Sequence, residues 1–435
     1  MAEFHLGFAN EQTVRELSAA RQEPQWLLSD RLAALSGFDS LAIEEMQLFT
    51  KYTTMGTARV EDTAPYIQPS PPPQPDPSET TGVSGQFHQE EDTVKTLRLS
   101  ADMRSRGVVL DTLQDAVTSY PEKSRPLLSD RHGLPGRDKF AQMTRAMWMA
   151  GVFISIPDNV TVPHPIHVRW SIGRDKTALL TRTIVSVGSN SNVSVIEEMD
   201  RSATAEGNSQ ALFSGTEEVH LGDGSSLKYA SVANAGGNAI SFLNRHASVG
   251  RNARMNWALG YVGGEMTKSR VDNLLEGRSS AVKEVQVLYG GKSQFFDLFS
   301  HTRHIGEDTV SDLLSKGVIQ EQSKAYTKGL ITVEKTGRGS DSFLGEFGMA
   351  LSRDARFLAI PSLEIENHAV KRAKHSSSVQ QIDQNQVFYL MTRGIEEREA
   401  RKLIVMGFLE PVVERIPLED VANRLRSMFA SKWAG

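Results

Sequence analysis

The feature that most restricts the fold of this chain is a run of short alternating segments between residues 152 and 378. "TRTIVSVG", "NVSVIEEM", "EEVHLG", "SLKYASVAN", "ARMNWALGYV", "AVKEVQVLYG", "AYTKGLITV" and "ARFLAIPSLEIE" alternate in the manner of half-buried β-strands. Between them lie turns of small and polar residues at 188–192, 222–226, 250–253, 276–280, 320–324 and 353–355. The turns recur at roughly 25 to 45 residues, a degenerate repeat with no constant period. Many short strands with no intervening helix fit a β-solenoid, a sandwich or a jelly roll. The same turn chemistry persisting over more than two hundred residues favours the solenoid, since that span is long for one sandwich.

The flanks have a different texture. Val14, Leu17, Leu27, Leu28, Leu32 and Leu35 recur at near-helical spacings, interrupted by Pro24. "DTAPYIQPSPPPQPDPSETTGVSG" has almost no large apolar side chain and reads as an extended spacer, with a docking motif as the alternative. The chain therefore divides into an N-terminal helical region (1–61), a proline-rich linker (62–92), a second helical region (93–150), a β core (151–378) and a C-terminal helical domain (379–435). In the last of these, Asp383 followed by Gln386 starts a helix that Gly394 ends. The next helix carries Ala400, Leu403, Ile404 and Phe408 on one side, and a third follows Pro417. An open solenoid end exposes apolar edges, so these helices are expected either to cap it or to dock a partner.

Composition narrows the function classes. With 39% hydrophobic and 23% charged residues and a net charge of -5, the chain reads as soluble, with no global footprint for nucleic acid or an anionic membrane. The first residues lack a basic segment followed by an apolar one, and "MWMAGVFISIP" is about half the ~20 residues of a membrane span, so a cytoplasmic protein is expected. Zero cysteines exclude disulfides, a thiol nucleophile and any thiolate metal site supplied by this chain alone.

No short motif carries a named catalysis. "GGKSQ" at 290–294 ends like a phosphate loop, but Gln286 stands where the first glycine is required, and the segment lies between strands. His301 and His304 have helical ligand spacing in a neighbourhood that reads as strand and turn, which makes them a surface or packed pair. Glu197 with Glu198, and Glu217 with Glu218, suggest the carboxylates of a carbohydrate-active β-helix enzyme. Adjacent strand residues point to opposite faces, however, and solvated charges are the default expectation. The basic stretch "NHAVKRAKHSSSVQQID" places His375 where strand texture yields to helix, a junction suited to an interface.

The tail "PSLEIENHAVKRAKHSSSVQQIDQNQVFYLMTRGIEEREARKLIVMGFL" resembles the C-terminal signature of the SufB/SufD family of iron–sulfur cluster assembly proteins. The ordered matches are Leu363 to Ile365, His375, Ile382 with Asp383, Phe388 to Leu390, Arg393 to Ile395, and Gly407 with Phe408. "EPQWLLSDRLAAL", "GVFISIPDNVTVPHPIHV" and "HTRHIGEDTVSDLLSKGVI" resemble other family segments. The resemblance implies a right-handed parallel β-helix core between helical terminal domains. It also implies a non-catalytic scaffold subunit that pairs with a SufB-type, cysteine-bearing homologue and docks a SufC-type ATPase, the ATP hydrolysis residing in that partner. A cysteine-free chain reading Lys374, His375, Ser376 looks D-type. On this resemblance His375 is a candidate cluster ligand or proton-transfer group at the subunit interface. Phe388, Tyr389, Arg393, Leu403 and Phe408 are candidates for ATPase docking. A transient iron–sulfur cluster in the complex, no cofactor held by the chain alone, and a homodimer in isolation complete the expectation. A purely structural subunit is the bland alternative.

Overall fold

The computed structural model describes residues 4–433 apart from 70–81, 130–135, 137, 204–206, 208 and 417. Four strands precede the repetitive part: β1 (Ala64–Pro65), β2 (Gly85–Glu90), β3 (Thr93–Leu99) and β4 (Val109–Thr112). Sixteen more follow: β5 (Ala150–Ile156), β6 (Ile166–Ile172), β7 (Thr177–Val187), β8 (Asn192–Arg201), β9 (Ala211–Leu221), β10 (Ser226–Asn234), β11 (Ala239–Val249), β12 (Arg254–Tyr261), β13 (Met266–Leu275), β14 (Ala281–Gly290), β15 (Phe295–His304), β16 (Val310–Ile319), β17 (Lys324–Val333), β18 (Asp341–Ala350), β19 (Arg356–Ile365) and β20 (Arg372–Gln381). From β5 onward, odd strands stack in one parallel sheet and even strands in another, so each odd–even pair is one coil of a parallel β-solenoid.

Coil length is more regular than the sequence suggests. Arg254, Ala281, Val310, Asp341 and Arg372 stack in register, giving steps of 27, 29, 31 and 31 residues. One corner explains the turn chemistry. Asn159, Asn190, Gly224, Asn252, Ser279, Asp308 and Gly339 all have positive φ, and the backbone N–H of each donates to a carbonyl in the corresponding turn of the next coil. These bonds run from Asn190 to Asp223, Gly224 to Arg251, Asn252 to Arg278, Ser279 to Glu307 and Asp308 to Arg338, at 2.8–3.0 Å. A left-handed backbone favours Gly, Asn and Asp, which is why those residues punctuate the alternation.

Helices lie on both flanks. On the odd-strand side are α1 (Glu11–Ala20), α2 (Gln25–Ser40), α4 (Leu113–Ser119), α5 (Pro121–Ser129) and α6 (Lys139–Met147), and α2 packs on α6, while α3 (Ala101–Ser105) links β3 to β4. Pro24 is the N-cap of α2, as its position between two helical patterns implies. The C-terminal helices are α7 (Gln384–Thr392), α8 (Glu397–Val413) and α9 (Glu419–Trp433). Asp383 caps α7 by accepting from the Asn385 N–H at 2.8 Å, and Gly394 follows it with φ +84°.

Several expectations require correction. The linker does not extend across 62–92, because Ala64–Pro65 pairs with β7 and Gly85–Glu90 pairs with β6; the proline-rich stretch 70–81 lies outside the described residues. The region from residue 93 does not open as helix: Thr93–Leu99 is a strand antiparallel to β2. The core outlasts residue 378, since β20 runs to Gln381. The C-terminal helices do not cap the solenoid end either. They fold back along the even-strand sheet, burying an outer column of Ile196, Ala230, Ala258, Val285 and Leu314.

The two ends consequently differ. The first coil is closed by antiparallel strands, β3 on β2 and β4 on β5. The last coil, β19 with β20, has no strand beyond it among the described residues, and nine of the ten residues of β20 are exposed.

Phe429 on α9 is fully buried and stacks on Tyr289, with ring centroids 6.0 Å apart. Phe429→Ala is expected to destabilise the protein by about 3–5 kcal/mol, measured by denaturant unfolding.

Candidate functional site

Strand register determines which side of the solenoid each candidate faces. Val195, Tyr229, Trp257, Glu284, Leu313 and Leu344 form one in-register column, all buried in the lumen. Leu344 pairs with His375, so His375 is the terminal member of that inward-facing column. Unlike the members beneath it, it is exposed, because no coil covers it. Ser377 and Val379 share its side of β20, and Val379 and Ile365 are 45% and 46% exposed. Around this uncovered rim stand Lys371, Arg372 and Lys374, with Arg372 paired to Asp341 at 2.7 Å. The result is an edge of unpaired backbone groups, apolar side chains, one imidazole and a basic fringe.

Among the described residues, no group of three or more His, Cys, Asp or Glu side chains could hold a metal ion. His375 could at most contribute one imidazole to a ligand set completed by another chain.

The second candidate region is divided between surface and core. Phe388, Tyr389 and Leu403 are 67%, 57% and 53% exposed, with Met391 also exposed. Arg393 lies over the Tyr389 ring at 5.3 Å and donates to its hydroxyl at 3.3 Å. Phe408 behaves differently: it is half-buried beneath the Lys316 ammonium, 4.7 Å from its ring. The expected single stripe on α8 is therefore not observed. Its buried face follows Val405, Leu409, Val412 and Val413, while Ala400 is buried and Leu403 points to solvent.

The acidic pairs are not solvated, contrary to expectation. Adjacent members do face opposite ways. Glu197 accepts from the Trp170 indole inside the lumen at 3.1 Å, while Glu198 meets His167 outside at 2.8 Å and pairs with Arg424 of α9. Glu217 lies 3.5 Å from the buried Arg245 guanidinium, and Glu218 pairs with buried Arg182. Glu197, Glu217 and Glu218 are at most 1% exposed, out of contact with bulk solvent and with any polymeric substrate. Burial, reinforced by neighbouring Glu197, pushes the Glu217 carboxyl well above its ordinary range. They are buried because lumen on one side and helices on the other cover both faces of the sheets. "GGKSQ" is a coil corner in which Gln294 accepts from the Gly291 N–H at 3.1 Å.

Residues 170–408 match the family model described as "SUF system FeS cluster assembly, SufBD core domain". The chain belongs to the SufBD family. Its SufBD core thus spans β6 to α8 and includes both candidate regions. Similar curated proteins extend over nearly the whole chain. An iron–sulfur cluster assembly SufBD family protein of Staphylococcus haemolyticus is 24% identical over 95% of this chain and 91% of its own length. The iron–sulfur cluster assembly protein SufB of Bacillus subtilis is 25% identical over the same shares. SufBD membership assigns the chain a role in iron–sulfur cluster assembly. No helix among the described residues is long and apolar enough to cross a membrane.

The paired histidines of this SufBD chain do not act together. His301 faces outward, 3.5 Å from Asp272 and 3.0 Å from the Thr332 hydroxyl. His304 is sealed inside, 2.7 Å from Thr309 and 2.9 Å from Ser311, and burial lowers its pKa to about 4. The folded state therefore binds fewer protons than the unfolded state between pH 6.5 and about 4. His167, lowered to about 4 by burial and by Arg424, acts in the same sense. The share of stability carried by these two histidines is expected to fall as pH drops through that window, while the raised carboxyls of Glu217 and Glu346 act in the opposite sense. His304→Gln should flatten the fall, leaving the share from His167, as read from urea midpoints across the range.

Proposed function

We propose that this chain is a D-type, non-catalytic subunit of an iron–sulfur cluster assembly scaffold, and that its uncovered last coil pairs with a cysteine-bearing SufB-type homologue. The observation that carries the reading is the uncovered inward-facing rim of β19 and β20, with His375 on it, in a chain without cysteine. Clusters are held chiefly by thiolates, so those of the nascent cluster come from the partner. His375 contributes a neutral imidazole as an accessory ligand, or moves a proton beside it. The cluster is cargo passing through the complex rather than a resident group.

The exposed face of α7 and α8, formed by Phe388, Tyr389, Leu403 and Met391, suits docking of a SufC-type ATPase, which hydrolyses the ATP. Phe408 serves this face indirectly, by holding α8 against Lys316. When the homologue is absent, a second copy of the chain can occupy the same edge. The protein works in the cytoplasm.

Two experiments test the proposal. Co-expression with the ATPase and the cysteine-bearing homologue should yield a stoichiometric assembly by mass measurement, in which His375→Ala leaves the mass unchanged but slows cluster formation. Normal assembly rates in that variant would remove His375 from the mechanism. Phe388→Asp combined with Leu403→Asp should abolish co-purification of the ATPase while leaving the thermal unfolding midpoint near wild type, because both side chains are solvent-exposed. Retained binding would move the docking site elsewhere.

A further inference from the structure

The lumen column next to that of His375 is polar where a solenoid core is expected to be apolar. Gln286, Ser315 and Glu346 occupy three successive rungs in register, and Ser377 is the fourth, on the uncovered coil. Glu346 is 2% exposed. Gln286 Oε1, Ser315 Oγ and Glu346 Oε2 are buried, and none has a hydrogen-bond partner among the described residues. All three line one small cavity, together with Glu284, Ser300 and Thr327.

These atoms do not satisfy one another. Stacked parallel strands lie about 4.8 Å apart, so a hydroxyl and a carboxyl on adjacent rungs bond only where the side chains lean together, as Ser171 does in donating to Asp200 at 2.6 Å. Ser315 and Glu346 make no such bond, and a single water spans the gap between them. The cavity has room for the centre of one water, about 10 Å³, and three polar partners face it, which is what an internal water requires.

The charge state follows from the surroundings. On the same sheet Glu284 adds a second carboxyl; β16 offers Ser315, and β20 offers Ser377 and, one column over, the His375 imidazole. From the odd-strand side Lys328 contributes its stem, while its ammonium is turned outward to Asp297 at 2.6 Å and Glu44 at 3.8 Å. Burial raises Glu346 to about 8, opposed only by a hydrogen bond from the Ile360 backbone. At neutral pH it is a carboxylic acid with a proton to donate.

We infer that the lumen binds one water through Gln286, Ser315 and Glu346, and that Glu346, as a neutral acid one rung beneath the uncovered coil, is the proton-holding residue of the end face. Its O–H bond breaks when the proton passes to the Ser377 hydroxyl one rung away, which gives up its own proton to solvent water at the uncovered rim; the resulting carboxylate is reprotonated by the same route. Glu346 touches neither cargo nor partner, so it acts by supplying a proton. The role at the end face rests on the assembly reading above, whereas the water and the acid do not.

Infrared difference spectra of the full chain, wild type minus Glu346→Gln, test the site first. A protonated-carboxyl band is expected at pH 7, vanishing as pH rises through about 8. Ser315→Ala, which keeps the acid and removes one water partner, should shift that band. Absence of the band at pH 7, or no shift in Ser315→Ala, overturns the site. Should Glu346→Gln not fold, the shift between wild type and Ser315→Ala is decisive alone. In the reconstituted complex, Glu346→Gln is expected to lose the alkaline limb of the assembly pH–rate profile. An unchanged profile overturns the role at the end face, even where His375→Ala still slows assembly. Failure of His375→Ala to act, with the infrared band present, counts against the assembly reading instead.

Discussion

Every coil of a parallel solenoid presents its successor with a row of unpaired N–H and C=O groups, and the rest of this structure depends on how that row ends. At the N-terminal side the chain closes it internally, by reversing direction in β3 and β4. At the C-terminal side it does not. After β20 the chain leaves the end and returns along the even-strand flank, where the apolar residues of α7 to α9 pack on the outer face of the sheet. The inward residues of that coil, His375, Ser377 and Val379, are thereby left where each preceding coil has a neighbour. An edge of this kind invites association unless it is itself the place of association.

The solenoid was legible because two signals agreed. Period-2 alternation gave the strands, and small, polar residues marked the turns between them; that one of these corners runs at positive φ, from Asn159 to Gly339, is visible only in the structure. Thr93–Leu99 went unread because it follows the proline-rich stretch and precedes true helices; its strand character comes from pairing with β2, a partner several residues upstream. The orientation of α8 was not legible because Leu403, Ile404, Val405 and Met406 are consecutive apolar residues, leaving the buried face to be chosen by the sheet beneath.

The site was legible in part. Alternation from Ala373 onward puts His375, Ser377 and Val379 on one side of a strand, but only the inter-strand register reveals that this side is the lumen. The burial of the acidic residues is not legible, because a single sequence does not show that both faces of these sheets are covered. Glu217 inside the lumen and Glu218 beneath the helices are adjacent in the chain, and both are sealed from water. The polar column through Gln286, Ser315 and Glu346 has no sequence signature, since its members are about thirty residues apart and meet only through stacking.

The path of the C-terminal helices has a mechanical consequence. In a simple repeat array each coil touches only its neighbours, so unfolding can begin at one end and travel coil by coil. Here one apolar cluster joins α7, α8 and α9 to side chains from Ile196 of β8 through Met349 of β18. These helices bridge coils that otherwise never meet, as a splint bridges segments of a rod. The array is converted into a cooperative unit, in which loosening of the helical flank is felt along nearly its whole length.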